Sequence, residues 1–211
     1  MRFDLRLYLV LDPDMTGGHE QALAVTEAAL QGGISMLQLR APTWKKGPLL
    51  ALAEALLAHT RAAGVPLLIN DHVDVALASG ADGVHLGQAD LPLAAARRLL
   101  GPQAIIGLSI SQAGHLAGAD AALADYYGIG PVYPTTTKPD ADPVLGLDAL
   151  HALAQQGGKP CVAIGGITLA NAASVMASSV DGIAVVSAIC AADDPRAAAA
   201  ALRLMVKGNS R

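Results

Sequence analysis

Eight short apolar segments alternate with longer Ala/Leu-rich segments along almost the whole chain, and this alternation limits the fold more than any other feature. The short segments are apolar throughout, as is typical of strands buried on both faces. They occupy residues 6–11, 34–39, 65–69, 83–86, 104–108, 126–130, 161–164 and 182–186. The longer segments have helical spacing; Leu49, Leu52, Ala53 and Leu56, for example, recur at i, i+3, i+4 and i+7. The pattern predicts eight strand–helix units.

Glycine and proline mark the ends of the predicted helices. Asp194 followed by Pro195 is typical of a helix start, with an N-cap side chain and proline in the first turn. Glycines that can end a helix in the left-handed conformation precede the predicted strands. They are Gly32, Gly33, Gly64, Gly80, Gly101, Gly157 and Gly158.

Strand–helix units joined by short connections predict a parallel sheet with right-handed crossovers. Closing eight such strands gives an α/β fold, the (β/α)8 barrel, which usually takes about 200 to 250 residues. The chain has 211 residues and contains no linker or low-complexity stretch that would suggest a boundary. We therefore predict one barrel domain over residues 1–211, with an open doubly wound sheet as the alternative.

The composition excludes several classes of protein. Hydrophobic residues make up 53% of the chain and charged residues 15%, which excludes a disordered chain. A net charge of −4 and an aromatic content of 3% offer neither the basic groove nor the stacking platforms of a nucleic-acid binder. The apolar runs are too short to span a membrane, and Arg2, Asp4 and Arg6 interrupt the N-terminal one, so no secretory signal is predicted. We expect a cytoplasmic protein with free, buried thiols at Cys161 and Cys190, and homo-oligomer formation stays open.

Polar residues gather just after the predicted strands rather than before them. In a parallel barrel these positions share one rim, the C-terminal face on which barrel active sites lie. Capping of the next helix would explain any one of these residues. It does not explain why polar residues recur directly after so many of the predicted strands. They are Gln38, Arg40, Asn70, Asp71, Gln88, Asp90, Ser109, residues 135–138, Gly165, Gly166 and Ser187.

Asp71 and Asp90 follow neighbouring strands, so the two carboxylates are expected to lie close together. An aspartate in this position often caps the following helix. As a pair, however, the two offer the hard oxygen ligands that Mg²⁺ prefers, and Mg²⁺ also accepts phosphate oxygens. No Cys/His cluster suits zinc, and we interpret His72 and His85 as hydrogen-bonded packing residues outside the site.

Two further segments suggest phosphate binding. The stretch "GPVYPTTTKPD" places hydroxyls and the ammonium of Lys138 between prolines, which fits either a solvated loop or an anion site. Gly165 and Gly166 allow a ligand to approach the backbone, and Ser187 follows the eighth predicted strand. The loops after strands 7 and 8 are the usual phosphate site of such barrels, which favours the anion interpretation.

The ordered segments "QLR", "LINDHVDVALASGADGVHLGQAD", "IGLS", "GIGPVYPTTTK", "AIGGIT" and "GIAVVSAI" together resemble the thiamine phosphate synthase family over roughly residues 6–206. The resemblance implies a TIM barrel and a Mg²⁺-dependent transferase. Such an enzyme joins a hydroxymethylpyrimidine diphosphate to a thiazole phosphate, giving thiamine phosphate and pyrophosphate. Its partners would be phosphorylated small molecules, with no nucleic acid and no membrane.

The same resemblance implies roles for individual residues. Asp71 and Asp90 match the metal ligands of the family. Residues that match the pyrimidine diphosphate site are Gln38, Arg40, Asn70, Ser109 and Lys138, of which Arg40, Ser109 and Lys138 are the expected catalytic residues. Residues that match the thiazole phosphate site are Thr135, Thr137, Gly166, Val186 and Ser187.

One departure from the family pattern concerns the stretch after strand 2, where Pro42 replaces a lysine that helps to hold diphosphate. Lys45 or Lys46 could supply the missing ammonium if the loop folds back, or both could be ordinary solvated lysines. Two alternative functions remain: a thiazole tautomerase-like isomerase and a non-catalytic binder of thiamine precursors. The tautomerase branch has a histidine where this chain has Pro131, and this difference favours the synthase.

Overall fold

The computed structural model describes residues 3–137 and 142–206, and its parallel strands close into a barrel. The strands are β1 (Leu7–Leu11), β2 (Met36–Leu39), β3 (Leu67–Asn70), β4 (Gly83–Leu86), β5 (Ile105–Ile110), β6 (Tyr126–Ile129), β7 (Cys161–Ile164) and β8 (Gly182–Val185). Each strand pairs with its neighbours in sequence, and β1 pairs with both β2 and β8. The predicted barrel is confirmed, and the open-sheet alternative is wrong because no strand of the barrel is left at an edge.

Helices follow the strands and cover the outside of the barrel. They are α1 (Pro13–Thr16), α2 (His19–Gly32), α3 (Lys46–Ala63), α4 (Val73–Ser79), α5 (Leu93–Leu100), α6 (Ala113–Leu116), α7 (Ala119–Leu123), α8 (Gly146–Gly157), α9 (Ala172–Met176), α10 (Ser187–Cys190) and α11 (Pro195–Met205). Among the residues that the structure describes, no helix combines the length and the apolar character needed to cross a bilayer.

The predicted helix ends are formed by the expected residues. The Asp194 side chain accepts a hydrogen bond from the amide of Ala197 at 2.9 Å, and Pro195 opens α11. Gly33, Gly64 and Gly80 end α2, α3 and α4 with φ angles of 93°, 67° and 73°, in the left-handed region that favours glycine. The two cysteines are free and buried, as predicted.

Side chains along each strand alternate between two separate cores, since successive residues of a strand point to opposite faces. The outward residues, such as Leu7, Leu9 and Leu11, pack under the helices in a large apolar cluster. The inward residues form a smaller cluster inside the barrel, in which Tyr8 and Tyr126 are the largest side chains. The expectation of wholly apolar strands therefore holds for the outward positions, whereas the inward positions include polar residues.

Candidate active site

Several of the predicted polar residues that the structure describes meet at the C-terminal mouth of the barrel because they continue the inward-facing series of their strands. In β5, for example, Ile105 lies deep in the interior and Ser109, four residues later, is partly exposed near the rim. Gln38 is a buried inward residue of β2, with 4% of its surface exposed. Asn70 ends β3, and Val186 directly follows β8. Barrel closure thus brings residues far apart in the sequence around one opening.

Asp71 and Asp90 face each other across the ends of β3 and β4, as the sequence predicted. Asp71 has a φ of 60°, an uncommon conformation for a residue other than glycine, and its amide donates to the carbonyl of His85 at 3.0 Å. Oδ2 of Asp71 accepts a hydrogen bond from Nδ2 of Asn70, and Oδ2 of Asp90 accepts one from the amide of Gly87, both at 2.6 Å. These bonds hold both carboxylates in place at the mouth.

The two carboxylates are also coupled electrostatically. The pKa of Asp71 is raised to about 7, first by burial and then by the hydrogen bond and charge of Asp90, while Arg40 and Asn70 act in the opposite direction. Two ionised carboxylates this close together repel each other. A divalent cation such as Mg²⁺, which prefers hard oxygen ligands, would fit between them and offset this repulsion. Within residues 3–137 and 142–206, no cluster of three or more His, Cys, Asp or Glu side chains forms a larger metal site.

On the opposite side of the mouth, the threonine loop after β6 packs against the glycine loop after β7. The amides of Val132 and Tyr133 donate to the carbonyls of Ile164 and Gly165 at 2.9 and 3.0 Å. Gly166 has a φ of 62°, and a β-carbon built on it would lie only 2.5 Å from the carbonyl oxygen of Pro134. Only glycine permits this close approach.

The hydroxyls of the threonine loop and the start of α10 complete this side. The amide of Thr137 donates to Oγ1 of Thr135 at 3.3 Å, which closes a local turn next to the glycine loop. Ser187 begins α10 directly after Val186. Lys138, the expected catalytic lysine, lies outside the described residues.

Comparison with known proteins agrees with this geometry. A family model described as thiamine monophosphate synthase matches residues 7–189. The chain is 57% identical over 194 residues to the thiamine-phosphate synthase of Laribacter hongkongensis, with 92% of each chain covered. The corresponding protein of Chloroflexus aurantiacus is 50% identical over 203 residues, covering 96% of this chain and 93% of that one. The chain belongs to the thiamine monophosphate synthase family.

A solved structure supports the same family assignment. The thiamine phosphate pyrophosphorylase of Pyrococcus furiosus has a TM-score of 0.87 and 35% sequence identity, and the match covers 98% of this chain and 97% of that chain. The family, the barrel fold and the transferase class predicted from the sequence are thereby confirmed, and thiamine phosphate synthesis is confirmed as the function at the level of the family.

The loop after β2, where this chain departs from the family pattern, is tied to its surroundings. The amide of Arg40 donates to the carbonyl of Leu11 at 2.9 Å. The ring nitrogen of Trp44 donates to Oδ1 of Asp14 at 2.7 Å. The half-buried ring of Trp44 packs against the large apolar cluster under the helices. Lys46 forms an exposed ion pair with Asp74. The ammonium of Lys46 is thus already paired near the start of α4.

A chain of buried and partly buried hydrogen bonds inside the barrel escaped the sequence analysis. His85 was predicted to be a hydrogen-bonded packing residue, and its two ring nitrogens do contact Tyr126 and Ser109. The hydrogen-bonded chain, however, also includes two tyrosines that no motif singled out, Tyr126 in β6 and its partner Tyr8 in β1. The sequence signal that could have found Tyr126 is a tyrosine at an inward strand position with glycines at nearby inward positions, Gly107 on the neighbouring strand and Gly128 two residues later on the same strand.

Proposed function

We propose that this chain forms a single catalytic domain that joins a hydroxymethylpyrimidine diphosphate to a thiazole phosphate and releases pyrophosphate. The observation that supports it best is the division of the mouth into two halves. The carboxylate pair and the described residues matched to the pyrimidine diphosphate lie near the ends of consecutive strands, β2 to β5, or just after them. The described residues matched to the thiazole phosphate follow β6, β7 and β8. Two anionic substrates would therefore meet over the centre of one opening.

The reaction exchanges one bond for another at the methylene carbon of the pyrimidine. The bond from this carbon to the diphosphate oxygen breaks, and its electron pair leaves with pyrophosphate. The lone pair of the thiazole nitrogen then forms the new carbon–nitrogen bond. Because the amino-substituted pyrimidine stabilises the developing cation, the main task of the protein is to stabilise charge on the leaving group.

Residues on the β2–β5 half, together with Lys138 of the segment that follows β6 in the sequence, would do this work. Arg40 and Lys138 would contact the diphosphate with positive charge, Ser109 would donate a hydrogen bond, and Gln38 and Asn70 would orient the substrate. Asp71 and Asp90 would hold a Mg²⁺ ion, which when bound neutralises charge on the diphosphate oxygens. The raised pKa of Asp71 supports this assignment, because after burial its main causes are the hydrogen bond and the charge of the neighbouring Asp90.

Residues on the β6–β8 half would hold the second substrate. Thr135 and Thr137 would donate hydroxyl hydrogen bonds to the thiazole phosphate, and the backbone at Gly166, Val186 and Ser187 would complete the site. The thiazole nitrogen is already a nucleophile, so no general base is required. Both substrates must nevertheless displace water from the mouth, since water would trap the pyrimidine cation.

A direct assay tests the proposal. Purified protein is mixed with both phosphorylated precursors and Mg²⁺, and thiamine phosphate and pyrophosphate are measured together. Equal amounts of the two products are expected, with loss of both after chelation of Mg²⁺. Isomerisation of a thiazole phosphate without coupling would favour the tautomerase alternative. Ligand binding without turnover of either substrate would favour the non-catalytic binder.

A further inference from the structure

Five side chains form a continuous line of hydrogen bonds across the interior of the barrel, and the proposed function assigns a role only to the two at its ends. Nε2 of Gln38 donates to the hydroxyl of Tyr8 at 2.8 Å, and that hydroxyl lies 2.9 Å from the hydroxyl of Tyr126. The Tyr126 hydroxyl lies 2.8 Å from Nδ1 of His85, and Nε2 of His85 lies 3.0 Å from Oγ of Ser109.

Two glycines provide the space that this line occupies. A β-carbon on Gly107 would lie 2.3 Å from Cζ of Tyr126 and 2.4 Å from Nδ1 of His85. A β-carbon on Gly128 would lie 2.9 Å from Cε1 of His85. Any larger residue at either position would displace the line, so the backbone of β5 and β6 is matched to it.

The line has a direction, which follows from its first member. The amide group of Gln38 donates to Tyr8, so the single hydrogen of the Tyr8 hydroxyl is directed to Tyr126. Burial raises the pKa of both tyrosines well above the ordinary value, so both keep their hydrogens. Tyr126, which accepts from Tyr8, then donates to Nδ1 of His85.

The direction determines the state of the last two members. A neutral histidine that accepts at Nδ1 has its hydrogen on Nε2. His85 therefore donates from Nε2 to Oγ of Ser109. Ser109 accepts that bond, and its own hydroxyl hydrogen must point away from His85, where an anion at the mouth can receive it.

The opposite direction conflicts with the geometry. If Ser109 donated to His85, the hydrogen on Nδ1 would be donated to Tyr126, and Tyr126 would donate to Tyr8. The oxygen of Tyr8 would then accept from both Tyr126 and Gln38, and the hydrogen of the Tyr8 hydroxyl would have no acceptor among its hydrogen-bond partners in the described residues. A buried hydroxyl hydrogen without an acceptor is costly.

We propose that Tyr8, Tyr126 and His85 are positioning residues that, together with Gln38, make Ser109 a hydrogen-bond donor toward the diphosphate of the pyrimidine substrate. The identity of the anion rests on the proposed function, whereas the direction of the hydrogen bonds does not. The proposal thus extends the site from the mouth into the barrel interior.

The first test is the tautomer of His85 in the free protein. Nitrogen-15 NMR of the imidazole groups at pH 8, above the ordinary titration range of histidine, distinguishes a hydrogen on Nε2 from one on Nδ1. The His85 signals are assigned from the spectrum of a His85→Asn variant. We expect the hydrogen on Nε2, and a hydrogen on Nδ1 would overturn the proposal whether or not the protein is a synthase.

The second test compares two tyrosine variants on the same strand. Tyr126→Phe removes the donor to His85, so we expect part of the His85 population to shift to the Nδ1-protonated tautomer. Tyr127→Phe is the matched control, because it removes a buried hydrogen bond from Tyr127 to the carbonyl of Ala121 at 2.9 Å on the helix side of β6. The control is expected to leave the tautomer of His85 unchanged.

Kinetics of the same two variants test the functional part. Tyr126→Phe is expected to lower kcat/KM for the pyrimidine diphosphate about tenfold, the scale of one lost hydrogen bond to a charged group. The KM for the thiazole phosphate should stay at the wild-type value. Kinetics of Tyr126→Phe equal to those of Tyr127→Phe would overturn the role assigned to the line.

The outcomes separate this proposal from the proposed function. A wild-type protein that makes no thiamine phosphate contradicts the proposed function, while the tautomer of His85 still decides the direction of the line. If Tyr126→Phe fails to fold, Tyr8→Phe replaces it. In that variant nothing directs the hydrogen of Tyr126 to Nδ1, so part of the His85 population is expected to shift to the Nδ1-protonated tautomer. An unchanged tautomer would overturn the role assigned to Tyr8.

Discussion

Gly166 and Pro134 are in such close contact that a β-carbon on Gly166 would lie 2.5 Å from the carbonyl oxygen of Pro134. This contact joins the glycine loop after β7 to the threonine loop after β6. The two loops would hold the thiazole phosphate together, so neither can move without changing the site. The contact therefore provides a direct way to test the assignment of this half of the mouth.

We expect Gly166→Ala to raise the KM for the thiazole phosphate about tenfold or more, the scale of losing one hydrogen bond to a charged group. The added methyl group must displace the threonine loop, and the threonines of this loop would donate hydrogen bonds to the phosphate. Steady-state kinetics with each substrate varied in turn measure the effect. Gly64→Ala is the matched control, since Gly64 has a similar φ of 67° but no atom within 4 Å of the added carbon. An unchanged thiazole phosphate KM in Gly166→Ala would contradict the assignment.

Asp71→Asn and Asp90→Asn are each expected to lower kcat about 100-fold or more, the scale of losing one electrostatic stabiliser of the transition state. The fold should be retained, because each change also relieves repulsion between two close carboxylates. Thermal unfolding in the presence of a chelator checks stability, and the control is Asp74→Asn, which alters an exposed carboxylate on α4. Wild-type turnover in both variants would refute the metal assignment.

Lys46→Ala is expected to leave the KM for the pyrimidine diphosphate within about twofold of the wild-type value, because Lys46 already pairs with Asp74. Exposed ion pairs contribute only about 0 to 1 kcal/mol, so the free energy of unfolding should also change little. Kinetics of Lys45→Ala, measured alongside, test the other candidate for the missing family lysine. A marked rise in KM in Lys46→Ala would show that the diphosphate draws this ammonium away from Asp74.

The free energy of unfolding should decrease in acid because of Asp4, which lies three residues before β1. Burial alone would raise the pKa of Asp4. The pKa is nevertheless lowered to about 2, because the carboxylate accepts hydrogen bonds from Arg6 and Arg203. A carboxyl group whose folded pKa lies below its unfolded value stabilises the fold above the unfolded pKa, near 4, and loses this contribution as the pH falls toward 2. After allowance for solvent screening the contribution is about 1 kcal/mol.

Urea unfolding at pH 7 and pH 3 measures this contribution. Wild-type protein should lose about 0.5 kcal/mol more than Asp4→Asn between the two pH values, because about half of the contribution is lost by pH 3. Asp193→Asn, which changes an exposed residue before α11, is the control and should behave like the wild-type protein. Equal acid sensitivity of wild type and Asp4→Asn would contradict the role of Asp4.

Much of the fold and of the mouth was predictable because it depends on patterns that are local in the chain. Apolar segments predicted all eight strands, and Asp194 and Pro195 predicted the start of α11. The polar residues of the mouth were predictable for the same reason. A residue just after a parallel strand lies on the C-terminal rim whatever the details of packing, so the joint placement of Asp71 and Asp90 followed from their positions in the sequence.

Only the tertiary structure determined which inward-facing side chains of different strands contact each other. Tyr8 and Tyr126 are separated by 118 positions, and their hydroxyls meet because closure of the barrel places inward residues of β1 and β6 at similar depth. The pKa of Asp71 and the contact of Gly166 with Pro134 likewise depend on the distance between separate strand ends. Periodicity within one strand shows which face a residue occupies, but only the closed barrel determines which residue from another strand it meets there.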